Sequence, residues 1–114
     1  MQNQVIEILQ YRLKPQSGQT FHQIMREISV PLHKQHGIDV IAYGNSLHDI
    51  DSYYLIRAFE TETKLQQQLD AFYASDDWRD GPRESIIRLI ESSLKSVIML
   101  PTQAIHALRN YYPQ

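Results

Sequence analysis

Two histidines, His33 and His36, stand three residues apart just before Gly37 in the segment VPLHKQHG. On a helix this spacing lets two imidazoles share a ligand, but helical metal sites of hydrolases also need an acidic residue and a third ligand. Lys34 and Gln35, which separate the histidines, supply neither. We therefore predict no metal site. His36 is either a helix-end residue that interacts with the helix dipole, which we favour, or a catalytic candidate.

Arg57 lies in the middle of the apolar segment YYLIRAFE, on the strand face that it shares with Tyr53, Leu55 and Phe59. An unpaired charge is costly on such a face, so Arg57 needs an acidic partner. Glu7, in the first predicted strand, is the best candidate because the first and third strands are neighbours in the predicted fold. Two interpretations stay open: a structural ion pair, which we favour, or an arginine that faces a pocket and binds a carboxylate or enolate.

His48 occupies a polar segment, residues 44–52, together with Asp49 and Asp51. We expect a long hairpin loop here, and loops of this kind often rim a pocket. An exposed loop is the simpler interpretation. The alternative is a catalytic dyad in which one of the two carboxylates orients the imidazole of His48.

Aromatic side chains supply the remaining candidates. They fill cores more often than they serve as proton donors, but a pocket lined by several tyrosines would suit an aromatic or polyketide-like ligand. The single tryptophan either covers a pocket or packs into the core, and we favour the core. The candidate ligand-binding residues are Tyr11, Tyr43, Tyr53, Arg57 and Trp78.

Hydrophobic periodicity and turn residues predict the elements that must position these side chains. The predicted strands are residues 5–13, 38–43, 53–60 and 97–100. The first predicted helix has Thr20 as its N-cap, and the others begin at residues 61, 82 and 102. The first helix presents an apolar stripe that includes Ile28 and Leu32, and Pro31 predicts a kink or a new turn. Ile90 and Leu94 are assigned to the apolar side of the third helix.

This order predicts an α+β fold of the ferredoxin-like βαββαβ type, with a four-stranded antiparallel sheet, helices on one face and an extra C-terminal helix. One domain spans residues 1–114, with the core at about 5–100 and a helical tail at 101–114. Both sheet faces are apolar, yet the helices cover only one. We therefore expect a homodimer in which two sheets pack face to face. The alternative is a C-terminal helix that folds back over its own sheet.

Composition narrows the function further. The 114 residues contain 42% hydrophobic and 21% charged side chains and no cysteine, which excludes disulfides, thiolate metal sites and cysteine nucleophiles. A net charge of −2 gives no reason to expect a nucleic-acid partner. Neither a signal-peptide pattern nor an apolar run long enough to span a bilayer is present, so we expect a soluble cytoplasmic protein without membrane insertion. No phosphate loop, nucleophile elbow or dinucleotide fingerprint occurs, and we predict no cofactor.

The segments IEILQYRLKPQSG, VPLHKQHG, IDVIAYG and SDDW, in this order and spacing, resemble the NIPSNAP family, a branch of the dimeric α+β barrels. The resemblance covers roughly residues 5 to 100. It implies the fold and a dimer more than a reaction, because prokaryotic NIPSNAP proteins are largely uncharacterised and eukaryotic relatives are linked to vesicle and mitochondrial roles. The wider superfamily includes cofactor-free monooxygenases, isomerases and haem-degrading enzymes.

Two functional hypotheses follow. The first is a homodimer that binds a small hydrophobic molecule or is purely structural. The second is a cofactor-independent monooxygenase or isomerase that acts on a hydrophobic carbonyl or aromatic compound. In the second, Arg57 holds an anionic intermediate, and His36 or His48 moves the proton.

Overall fold

The computed structural model of the protein describes residues 2–111. Its strands are β1 (Asn3–Leu13), β2 (Asp39–Ser46), β3 (Asp49–Phe59) and β4 (Ile90–Pro101), joined in one antiparallel sheet of order β2-β3-β1-β4. Its helices are α1 (Gly18–Ile24), α2 (Val30–Gln35), α3 (Glu62–Ala74), α4 (Asp76–Arg79), α5 (Arg83–Leu89) and α6 (Thr102–Tyr111). This strand order and connectivity confirm the predicted ferredoxin-like α+β fold with an extra C-terminal helix. Residues 112–114 of the predicted helical tail lie outside the described residues.

The main core lies between one face of the sheet and helices α1 to α5. Alternate residues of β1 and β3 point into it because successive side chains of a strand project to opposite faces. Each large apolar side chain buried there stabilises the fold by ~1.5–3 kcal/mol. Strand residues of this core are Val5, Leu9, Leu13, Val40, Tyr53, Leu55 and Phe59, and helix residues include Phe21, Met25, Leu65, Leu69, Phe72, Trp78 and Ile86.

The helix after β1 contains a π-helical segment, Met25–Ser29, between α1 and α2. The backbone N–H of Val30 bonds to the carbonyl of Met25, five residues back. A π turn holds an extra residue, and this extra residue shifts the buried face. Ile28 is therefore 49% exposed, whereas Ser29 and His33 are buried. The predicted stripe was wrong at Ile28 for this reason, whereas Leu32 is half-buried and packs against the core. Pro31 lies in the first turn of α2, after the π-helical segment.

The hairpin between β2 and β3 is tighter than predicted. Its turn consists of Leu47 and His48 alone, because the polar residues on either side belong to the strands. Their side chains form hydrogen bonds between the strand ends and the segment that leads into α1. The Asp51 carboxylate accepts the backbone N–H groups of Gln16 and Gly18, each at 2.9 Å. Tertiary hydrogen bonds thus extend the hairpin through a segment that resembled a loop.

Strand β4 is also longer than predicted, and it includes Ile90 and Leu94, which had been assigned to a helix. β1 pairs with β4 from Asn3 opposite Pro101 to Leu13 opposite Ile90, with one irregularity between Arg12 and Leu13. Pairing with β1 outweighs the local helical spacing of the apolar residues.

Helix α6 packs on the face of the sheet opposite helices α1 to α5. Ile105 is 1% exposed and contacts a small cluster that includes Ile6, Ile41 and Ala58. At the far edge, Arg109 forms an ion pair with Asp39 at 2.7 Å. The C-terminal helix therefore folds back over its own sheet, as the alternative prediction stated, but only at one end of this face. On the part of the face that α6 does not cover, Leu94 is 71% and Ile98 42% exposed.

Candidate functional site

Arg57 and Glu7 form a buried ion pair at the centre of the sheet. They are directly opposite each other in the β1–β3 register, and each is 1% exposed. Nε of Arg57 donates to Oε1 of Glu7 at 2.7 Å, and Nη2 contacts the same oxygen. The predicted partner of Arg57 is confirmed.

His33 and Tyr73 complete the surroundings of Arg57. Nη1 of the arginine donates to Nε2 of His33 at 3.0 Å and to the hydroxyl of Tyr73 at 2.7 Å. On the other side of its ring, His33 donates from Nδ1 to the Ser29 carbonyl at 2.7 Å, and a carbonyl can only accept. His33 is therefore a neutral imidazole whose Nε2 is an acceptor. Burial, with a smaller contribution from Arg57, lowers the pKa of His33 to about 4.

The π-helical segment is what brings His33 to Arg57. Phe21, Met25, Ser29 and His33 are spaced by four, and all are buried. In a regular α-helix this spacing would drift around the axis by about 40° at each step. The wider π turn keeps the four side chains on the face that packs on the sheet, and the last of them reaches Arg57.

A cleft of about 290 Å³ opens above this network. The sheet forms its floor, α3 one wall and the exposed strand β4 the other. Nζ of Lys95, on β4, lies 3.4 Å from Oε2 of Glu7. The residues that line the cleft are Glu7, Leu9, Tyr11, Arg57, Leu65, Gln66, Leu69, Asp70, Tyr73, Ser93 and Lys95.

The cleft offers hydrogen-bond donors to an electron-rich oxygen. Because the Tyr73 hydroxyl accepts a charge-assisted hydrogen bond from Arg57, its own O–H is left to donate to a ligand. Burial raises the pKa of Tyr11 well above its usual range, so that this phenol also remains protonated. Lys95 adds a positive charge at the rim. The guanidinium of Arg57 donates hydrogen bonds to Glu7, His33 and Tyr73. Its main effect on a ligand is therefore indirect: it holds and polarises the Tyr73 hydroxyl.

The predicted site residues fall into two groups. Arg57 and Tyr11 line the cleft, and Trp78 lines an adjacent cavity while packing against Phe72 in the core. The favoured core position of Trp78 is therefore observed. Tyr53 and Tyr43 lie elsewhere: the Tyr53 hydroxyl is 2.6 Å from Nδ1 of His22, and Tyr43 packs on the same imidazole.

The two histidines considered for proton transfer also lie outside the cleft. Nε2 of His36 is 3.0 Å from the Asp77 carboxylate near the surface. His48, in the hairpin turn, contacts the Ser46 hydroxyl at 2.5 Å, while Asp49 pairs with Arg12. His48 lines a cavity of about 320 Å³ together with the predicted site residues Tyr11 and Tyr53, and Tyr11 and Ser93 are common to this cavity and the cleft. The predicted pairing of His48 with a carboxylate is not observed at the turn. Within residues 2–111 no cluster of three or more His, Asp or Glu side chains is arranged to hold a metal ion.

Sequence reasoning missed His33, Tyr73 and Lys95 as members of the site. The sequence carries no signal for His33, because the apolar spacing from Phe21 to Leu32 fits a regular α-helix and does not predict the π turn. Tyr73 and Lys95 carry no signal either, because the packing of α3 and the register of β4 decide their positions.

Comparison with solved structures shows which known proteins share the fold of this chain. No protein-family model matches the sequence, and no curated protein does. Among solved structures, a NIPSNAP family protein from Agrobacterium tumefaciens superposes with a TM-score of 0.80 at 14% identity, covering 89% of each chain. A NIPSNAP-like domain protein from Burkholderia xenovorans gives 0.77 at 16% identity, covering 86% of this chain and 84% of its own.

The chain has a NIPSNAP-like fold. A candidate antibiotic biosynthesis monooxygenase from Nitrosomonas europaea is a more distant neighbour of this NIPSNAP-like chain, with a TM-score of 0.61 at 12% identity, covering 85% of this chain and 96% of its own. At such identities the likeness concerns the fold alone, and function has to be argued from the site. None of the helices within residues 2–111 is long and apolar enough to cross a bilayer.

Proposed function

We propose that this NIPSNAP-like chain binds a small, mainly apolar molecule through a carbonyl or anionic oxygen in the cleft above Arg57. The observation that carries the proposal is the Tyr73 hydroxyl, which accepts from the buried guanidinium and faces a 290 Å³ cleft with its donor uncommitted. A purely structural ion pair needs neither a cleft above it nor a phenol at its edge.

Benzoate tests this proposal, because it combines an apolar ring with one anionic group. Calorimetric titration should show binding to the wild type, and Tyr73→Phe should weaken it at least tenfold, as expected for the loss of a hydrogen bond to a charged group. Lys95→Met, on the half-exposed edge of the cleft, should weaken binding without disturbing the core. Tyr43→Phe, outside the cleft, is the matched control and should bind as the wild type does. Failure of benzoate to bind, or equal binding by Tyr73→Phe, would contradict the proposal.

We also propose that the protein acts as a homodimer, as the exposed apolar part of its sheet suggests. Leu94 and Ile98 are exposed on the face that α6 leaves uncovered, and Ile8, Tyr54 and Ile56 are only half-buried beside them. A second copy packed on this face would bury all five side chains. We further propose that this homodimer is cytoplasmic.

A cofactor-independent isomerase or monooxygenase is the second candidate function, favoured by the distant likeness to the Nitrosomonas europaea protein. A Tyr73 hydroxyl polarised by Arg57 could stabilise an enolate, and one of the two carboxylates that line the cleft, Asp70 or Glu7, would accept the proton. His36 and His48 do not line the cleft and have no role in this proposal. Incubation with 2-tetralone in D₂O, followed by proton NMR, should then show exchange at the α-carbon that Tyr73→Phe abolishes. Exchange at the uncatalysed rate would contradict this candidate and leave the binding function standing.

A further inference from the structure

A second cavity, of about 340 Å³, adjoins the cleft. The two cavities share the side chains of Tyr11 and Tyr73 as common walls. The remaining walls of the second cavity are Trp78, Arg83, Ile86, Ile87 and Ile90. The cleft and the adjoining cavity thus lie side by side under helices α3 to α5.

The adjoining cavity differs from the cleft in chemistry. Among the described residues that line it, none is a carboxylate, and the only charged one is Arg83, at the half-exposed outer rim. The Trp78 and Tyr73 rings meet edge to face, with centroids 5.1 Å apart, and form an aromatic wall. Ile87 lines this cavity but is 49% exposed, so a ligand in the cavity would bury apolar surface of this side chain. Such a lining suits a hydrocarbon segment.

The dimensions of the two cavities favour one ligand that occupies both. Each volume lies near the lower limit of about 300 Å³ for small-molecule sites, whereas a molecule that passes over Tyr11 would use the two together. At the cleft end, the donors are the Tyr73 hydroxyl and the Lys95 ammonium. Glu7 and Asp70 line the same cleft and oppose an anion of higher charge, which leaves room for a single carboxylate.

We propose that the ligand, if the cleft functions as suggested above, is an elongated amphipathic monocarboxylate. Its carboxylate contacts Tyr73 and Lys95, and its hydrocarbon tail runs past Tyr11 into the adjoining cavity against Trp78. Chain length then sets affinity through the second cavity, and the carboxylate sets orientation through the first.

Trp78, the only tryptophan, reports directly on the tail. Its fluorescence should change on titration with octanoate but not with butyrate, which is too short to reach it. Octanoate should bind at least tenfold more tightly than butyrate because four more methylene groups leave water. Octan-1-ol, which has the tail without the charge, should bind at least tenfold more weakly than octanoate.

Two variants separate the tail site from general effects of a surface charge. Ile87→Glu should weaken octanoate binding at least tenfold and leave butyrate binding unchanged. Ile28→Glu replaces an isoleucine of equal exposure outside both cavities and should alter the binding of neither ligand.

Equal affinity for butyrate and octanoate, or no effect of Ile87→Glu, would overturn the proposal of an elongated ligand while the binding function of the cleft stands. If octan-1-ol bound as tightly as octanoate, the proposal that the ligand is held by a carboxylate would be overturned. Absence of binding by benzoate, butyrate and octanoate alike would overturn the proposed function as well.

Discussion

At the residue scale, the two histidines that first suggested chemistry have different structural roles. His36 pairs with Asp77 near the surface, whereas His33 is buried and accepts a hydrogen bond from Arg57. The bond from Nδ1 to the Ser29 carbonyl fixes the tautomer that makes this possible. His33 therefore works as a neutral polar support for the guanidinium and does not carry protons at neutral pH.

This assignment predicts how stability depends on pH. An imidazole in the unfolded chain takes up a proton near pH 6.5, whereas native His33 does so only near pH 4. Between these values the unfolded chain binds a proton that the native chain does not, so the free energy of unfolding falls as the pH falls, by up to about 3 kcal/mol. Urea unfolding at intervals from pH 7 to pH 4 measures the effect.

His33→Asn provides the control for this prediction, because its amide oxygen can still accept from Arg57 but does not titrate. The difference in unfolding free energy between wild type and His33→Asn should shrink as the pH is lowered from 6.5 to 4. A constant difference over this interval would show that native and unfolded His33 titrate alike.

At the element scale, the π-helical segment Met25–Ser29 connects backbone geometry to the site. It accommodates one residue more than an α-helix would in the same span, and so aligns Phe21, Met25, Ser29 and His33 toward the sheet. Removing one residue from the segment would place the same four side chains at spacings of four, three and four, which one face of a regular α-helix accommodates.

Deletion of the half-exposed Ile28 should therefore be tolerated. We expect a fully helical segment, an intact Arg57 network and a loss of unfolding free energy below about 2 kcal/mol, typical of a single substitution. Circular dichroism with urea titration is the measurement. Deletion of Gln67 in α3 is the matched control, because it rotates Leu69, Phe72 and Tyr73 by about 100° and should prevent stable folding. Unfolding of the Ile28 deletion would mean that the π turn is itself required.

At the scale of the whole molecule, the face of the sheet opposite helices α1 to α5 is covered at one end only. α6 crosses the sheet from β4 to the β2 edge, where Arg109 meets Asp39, and buries Ile105. A helix of ten residues is about 15 Å long, roughly the width of four strands, and so it covers a single band of the face. The exposed Leu94 and Ile98 lie outside that band.

A homodimer built on this face should dissociate when charges are placed there. Each large side chain buried between two copies contributes ~1.5–3 kcal/mol, against an association cost of ~4–15 kcal/mol, so the loss of two such contacts is decisive. We expect sedimentation at micromolar concentration to show a dimer for the wild type and a folded monomer for Leu94→Asp/Ile98→Asp. Ile28→Asp, on the helical side, should stay dimeric. A monomeric wild type would exclude this assembly.

The sequence by itself determined the fold class, the order of strands and helices, and the need of Arg57 for an acidic partner, with Glu7 as the best candidate. These features follow from local hydrophobic periodicity, from turn residues and from the cost of a buried unpaired charge. The register of β1 and β3, which pairs Glu7 with Arg57, is a property of the tertiary structure. Tertiary structure alone decided the length of β4, the two-residue turn before β3 and the side of the sheet taken by α6. It also brought His33, Tyr73 and Lys95 to Arg57. Strand register and the packing of α3 join segments that are distant in the sequence, so no local pattern predicts them. The extra residue in the π turn is not visible in the sequence either, because the apolar spacing there fits a regular α-helix.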